Sequence, residues 1–212
     1  MTRLLIFPLI QAFQEVLGPR PLLAHLDSFR YPLSGEFAGK IDTLVSFTLP
    51  QAWGLEIAML CEAHRHVPTS EQCQVDLGMH FEHRHRQLNA SAGPGLEHGL
   101  VAAAADVVRC LAFHVLREYE GRAGMLLRLV LDQYRRLAAE WMERYEHVAL
   151  INGLQHDRAD ESHAVDAFTE ALVELCLSVE AHGLGEAGQR PAPAQTLRDM
   201  PEIGAAIVAA AL

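Results

Sequence analysis

Three imidazoles and two guanidiniums crowd into the seven residues His80-Phe-Glu-His-Arg-His-Arg86. In an extended backbone, side chains alternate between faces. His83 and His85 then share one face, while Glu82, Arg84 and Arg86 share the other. Imidazoles can ligate a divalent cation or contact a phosphate, and guanidiniums can hold salt bridges or an anion. Metal sites with His ligands usually also draw a Cys or carboxylate from elsewhere. Nothing local names that partner, so by itself the cluster reads as a basic surface patch.

Gly35-Glu36 is a second candidate, because a glycine lets backbone approach a ligand and a carboxylate accepts from hydroxyls. Alone, the pair reads as a turn with a surface glutamate. Glu56 stands near the start of a helix. His64 and His66 are two apart on that helix and cannot face one ion. Asp157 and Asp160 read as helix caps. The H-E-x-x-H, G-x-S-x-G, P-loop and G-x-G-x-x-G signatures are absent from the sequence.

The elements that must position these residues follow from periodicity. Residues 3–17 carry apolar side chains around most of a helical girth, which calls for cover on more than one side. Gly18-Pro19 stops that helix. A short helix is expected around 22–26, loop and short strand over 29–38, a short helix over 41–47 and a longer one over 53–66. Its apolar face is expected to be Leu55, Ala58, Met59 and Ala63. Residues 72–86 read as a strand with a His-rich exit. The run Asn89-Ala-Ser-Ala-Gly-Pro-Gly95 is the best internal boundary. Beyond it, helices are expected over 96–120, 125–146 and 162–181, as an antiparallel bundle or arm, and then a tail from 183 to 212.

The totals narrow the class. With 212 residues, half of them hydrophobic, the chain can bury a substantial core. Its net charge of -10 repels nucleic acid and anionic membranes, so an anionic ligand needs a local basic site. Cys61, Cys73, Cys110 and Cys176 form no C-x-x-C pair and read as buried thiols of a cytoplasmic protein. Residues 1–10 lack a signal-peptide cleavage site, and the apolar tail is shorter than the roughly 20 residues of a membrane span.

Four segments in register resemble the second half of glucosyl-3-phosphoglycerate synthases: Phe29-Arg-Tyr-Pro-Leu-Ser-Gly-Glu-Phe-Ala38, Trp53-Gly-Leu-Glu-Ile57, Gln74-Val-Asp-Leu-Gly78 and His83-Arg-His-Arg86. These enzymes are retaining, metal-dependent glycosyltransferases of the GT-A type that move glucose from a nucleotide sugar onto 3-phosphoglycerate, in glucosylglycerate biosynthesis. Their motifs read P-L-x-G-E-[FY]-A, [YW]-G-[VL]-E-[IV] and Q-V-[DN]-L-G, followed by H-[RK]-x-[RQ]. The resemblance is good over residues 2–88 and looser beyond.

The resemblance implies an α+β, mainly α chain: part of a GT-A catalytic domain over 1–88, with short strands of the acceptor side, and a helical dimerisation region over 96–182. It implies that His83 joins the D-x-D aspartate in holding Mg2+ or Mn2+ on a donor such as UDP-glucose. It places Glu56 near the donor sugar, Gly35, Glu36 and Trp53 along the substrate, and Thr2 on the acceptor phosphate. Arg84, Arg86 and His85 then become acceptor-side candidates. The implied partners are a phosphorylated small-molecule acceptor and a second copy of the chain. The family has asparagine or another residue where His85 stands, and the present sequence contains no D-x-D. Met1 falls where the family has the valine of G-R-V-T, as if a GTG codon were read as a start. Little glucosyl transfer is therefore expected from residues 1–212 alone. The alternatives are a non-catalytic helical interaction module, or a related transferase using mannose or glycerate.

Overall fold

Helix α1 (Phe7–Leu17) organises the packing. Leu9, Ile10 and Phe13, with Leu5 and Ile6 in the turn before it, are wholly inaccessible to solvent. The structure, a computed structural model, describes residues 1–50, 53–78 and 96–185, together with 195, 198–200 and 202. The further helices are α2 (Pro21–Asp27), α3 (Ile41–Leu44), α4 (Leu55–His66), α5 (Leu96–Leu116), α6 (Ala123–Ile151) and α7 (Arg158–His182). Helix α6 runs along both α1 and α7, α5 packs on α7 and α4, and α2 bridges α1 and α4. The cover that the apolar girth of α1 requires therefore comes from the helical second half of this chain. One contiguous core extends from Leu4 to Leu184 and includes residues on both sides of the 89–95 segment.

The α1–α6 seam adds polar registration to this burial. Trp141 donates its indole N–H to Gln11 Oε1 at 2.8 Å and stacks on Phe7 at 5.7 Å between centroids. Arg136 pairs with Glu15 across the same seam. Helix α7 begins at Arg158, four residues earlier than its periodicity indicates. The Asp157 carboxylate caps it there, accepting from Ala159 N at 2.9 Å and Asp160 N at 3.1 Å.

The mainly helical expectation stands, but no strand is seen among the described residues. Residues 72–77 run irregularly, and their side chains bond backbone groups of other residues where a strand would make a ladder. Arg30 N donates to Gln74 Oε1 at 2.8 Å, and Gly78 N donates to Asp76 Oδ1 at 2.9 Å. The expected inner face of α4 is also corrected. Ile57, Ala58, Leu60 and Cys61 are buried, whereas Leu55 is exposed. Both sets recur at helical spacing, and the approach of Gly54 to α5 decides between them. Cys61, Cys110 and Cys176 are buried as expected, but Cys73 is exposed.

Gly54, at the N-cap of α4, has φ +112°. A Cβ there would lie 3.0 Å from Cys110 Cβ and 3.3 Å from the Asp106 carbonyl. Cys110 Sγ in turn donates to Gly54 O at 3.5 Å. Two turns further on, Glu62 is buried to 1% exposure and accepts from Thr48 N at 3.0 Å and from Arg65 Nη1 at 2.5 Å. Arg65 Nη2 lies 3.4 Å from Nδ1 of the buried His114 on α5. Burial, followed by the charges of Arg65 and Arg117, pushes the His114 imidazole down to about 3, so it is neutral near pH 7.

Gly54→Ala is expected to destabilise the chain by about 1–3 kcal/mol through left-handed strain and the clash with α5, read from denaturant midpoints. Glu62→Ala should cost about 1–2 kcal/mol, since it removes the acceptor of the part-buried Thr48 N–H and of the partly exposed Arg65 guanidinium. His114 titrates near 6.5 when unfolded but only near 3 when folded. Its stabilising contribution is therefore complete above pH 6.5 and lost as pH falls towards 3, at up to about 1.4 kcal/mol per pH unit. His114→Gln should flatten that part of the stability profile, and an unchanged slope would contradict the assignment.

Candidate functional site

Glu56 occupies the first turn of α4, where the helix N-terminus favours a carboxylate. Its side chain is half-buried. The helix is fixed beneath it by the Gly54 approach and the Glu62 network, so the backbone carrying Glu56 is held on α5. Trp53, one residue before that cap, is 63% exposed. The Cys110 thiol nearby is pushed up to about 12, above all by burial, with the charges of Asp106, Glu56 and Glu62 adding to the effect. That excludes it as a thiolate nucleophile near neutral pH.

The loop over 29–40, between α2 and α3, carries Gly35 and Glu36. Ser34 Oγ donates to Glu36 Oε2 at 2.6 Å, and Gly35 and Glu36 are exposed. Gly35 has open space around the position of a Cβ and no left-handed φ. The fold itself thus makes no demand for glycine at 35, unlike at 54. Arg30 ties this loop to the 74–78 stretch, through its amide to Gln74 and through its guanidinium to Asp76 at 3.3 Å. Lys40 and Glu71 approach to 3.9 Å on the same side. Two motif-bearing segments more than forty residues apart are thereby laid side by side. Around them Phe37, Ile41, Val75 and Leu77 are exposed apolar side chains, as Trp53 and Leu55 are at the start of α4. A shallow cleft of about 330 Å³ opens beside Arg30, with Phe7, Phe29 and Trp141 among its walls.

Thr2 lies elsewhere, in a turn packed against α6 and α7. No described hydrogen bond or ion pair joins it to Glu36, Trp53 or Glu56. His83, Arg84, His85 and Arg86, with His80, lie outside the described residues. Among the described residues no group of three or more His, Cys, Asp or Glu side chains is gathered that could hold a metal ion. His64 and His66 take different partners, as their spacing requires. His64 packs on the His25 ring at 4.9 Å between centroids. His66 stacks on Phe47 at 5.8 Å and lies 3.5 Å from Glu62.

Two clusters escaped the sequence reading. Glu62 with Arg65 was visible as an i, i+3 pair, but the burial that makes it matter comes from α5, 49 residues beyond Arg65. Glu161, with a side chain only 8% exposed, pairs with Arg3 and lies 3.7 Å from His156 Nδ1. No local spacing signals a contact between residues 3 and 161.

Comparison with known proteins accords with the motif resemblance. A protein named glucosyl-3-phosphoglycerate synthase from Persephonella marina is 37% identical over 174 residues, which is 81% of this chain and 42% of that protein. One of the same name from Methanococcoides burtonii is 32% identical over 171 residues, 80% of this chain and 41% of its own length. No protein-family model matches the sequence, and no solved structure matches it. The chain thus spans about two-fifths of the length of the curated relatives it matches. By sequence it is a relative of one portion of the glucosyl-3-phosphoglycerate synthases.

Proposed function

We propose that this chain supplies the acceptor-facing portion of a glycosyltransferase that moves glucose from a nucleotide sugar onto 3-phosphoglycerate with retention. The observation that carries this reading is the similarity over four-fifths of the chain to proteins of that name. Two features of the fold support it: the motif-bearing loop and the 74–78 stretch are held together by Arg30, and Glu56 is set on an immobilised helix start.

Each residue then has a task that its chemistry suits. Gly35 leaves the backbone free to approach a sugar, and Glu36 accepts from its hydroxyls. Glu56 places negative charge where an oxocarbenium-like transition state develops positive charge. Trp53 offers an exposed ring to the substrate. Thr2, Arg84 and Arg86, with His85, take the acceptor phosphate through neutral and charge-assisted hydrogen bonds. The divalent ion implied by the family is not accommodated by the described residues alone. His83 is proposed as one neutral ligand, and Mg2+ or Mn2+ bound there supplies charge neutralisation for a leaving diphosphate such as that of UDP-glucose.

The same reading makes 96–182 a dimerisation region, and one exposed apolar group supports it. Leu150 and Ile151 at the end of α6, with Leu154 in the following turn, are all more than 60% exposed. Such a group is a candidate contact with a second copy in the cytoplasm.

Calorimetric titration of the chain with 3-phosphoglycerate is expected to show saturable binding. Thr2→Ala and the pair Arg84→Ala with Arg86→Ala should each weaken it at least tenfold, about 1.4 kcal/mol. Equal affinity in all three proteins sinks the acceptor reading. Gly35→Ala should leave the melting temperature unchanged, because nothing crowds that position, yet impair turnover in an enzyme that contains this segment. A loss of stability equal to that of Gly54→Ala would show the glycine to be structural instead.

A further inference from the structure

Thr2 belongs to a π turn, Thr2–Ile6, the only one among the described residues. Met1 O accepts from Leu5 N at 2.8 Å and also from Ile6 N at 3.3 Å, and Phe7 N reaches Thr2 O, the last two bonds spanning five residues each. A single widened turn of this kind is costly and persists where surrounding structure imposes it. Here Pro8 and groups on α6 and α7 hold it.

In a regular helix the Leu4 carbonyl would accept from the amide of residue 8, but residue 8 is proline and has no N–H. The hydroxyl of Tyr134, a fully buried residue on α6, donates to that carbonyl instead at 2.9 Å. At the preceding residue the Arg3 guanidinium pairs with the buried Glu161 carboxylate and lies 4.7 Å from the centroid of the Tyr145 ring. Glu161 has His156 beside it, and its Oε2 atom has no hydrogen-bond partner. Removing Arg3 would therefore leave a poorly compensated charge in the interior. Successive residues of the turn are thus pinned by α6 and by the first turn of α7. The charge of Arg3 is also spent on Glu161 rather than offered to a ligand.

We propose that Tyr134 and Glu161 are positioning residues for the acceptor anion. From the helical half they fix the π turn in the shape that presents Thr2 to a phosphomonoester. The inference rests on the acceptor reading above, and it adds that the two halves of the chain build that contact jointly.

The test is a double-mutant cycle on the full chain, titrated calorimetrically with 3-phosphoglycerate well below each protein's melting temperature. Tyr134→Phe keeps ring and charge and removes one hydroxyl. It is expected to weaken binding at least fivefold. Combined with Thr2→Ala it should weaken binding no further than Thr2→Ala alone, because both changes remove the same contact. Glu161→Gln provides a second, independent cycle should Tyr134→Phe impair folding, and Glu161→Asp should recover most of the affinity. Unaltered affinity in Tyr134→Phe and Glu161→Gln, or losses that multiply with that of Thr2→Ala, overturns the positioning role while leaving the acceptor reading in place. No binding by the parent chain, or no effect of Thr2→Ala, sinks the acceptor reading and this inference with it.

Discussion

The structure depends on covering a helix that is apolar nearly all round. Six side chains from Leu5 to Phe13 are wholly withdrawn from solvent, five of them large, and each large aliphatic or aromatic side chain buried contributes about 1.5–3 kcal/mol. Helix α6 supplies most of the cover and α2 completes it. Once α6 is committed to α1, its other flank receives α7, α5 docks on α7, and α4 docks on α5. The position of Glu56 is therefore the last link in a chain of helix contacts that begins at α1.

This order explains why polar groups cluster at the joints. Gln11 with Trp141, Glu15 with Arg136, and Leu4 with Tyr134 register α1 against α6. Glu62 with Arg65 and His114 registers α4 against α5. Apolar burial alone allows neighbouring helices to slide by a turn. A buried donor or carboxylate with only one acceptable partner does not.

Much of the helical content was legible from periodicity and from stop signals such as Gly18-Pro19 and Asn152-Gly153. The inner face of α4 was not, because its apolar residues satisfy helical spacing on two overlapping stripes. Only the missing Cβ of Gly54, tested against Cys110 of another helix, selects between them. The irregular course of 72–77 was likewise hidden, since alternation over Gln74 to Gly78 suits a strand while the ladder it needs depends on a partner. Within the candidate site, Gly35, Glu36, Trp53 and Glu56 were marked by motif. Arg30, Glu161 and Tyr134 were not, because each acts through a residue more than forty positions distant.

The bond from Tyr134 to Leu4 spans 130 residues of sequence. At roughly 5–20 residues per second of synthesis, that separation keeps α1 exposed for about 6 to 26 seconds before the helix that shields it has been made. A strongly apolar segment waiting that long is a natural client for holding chaperones. The compact early contact between α1 and α2 is then a temporary shelter that α6 later completes.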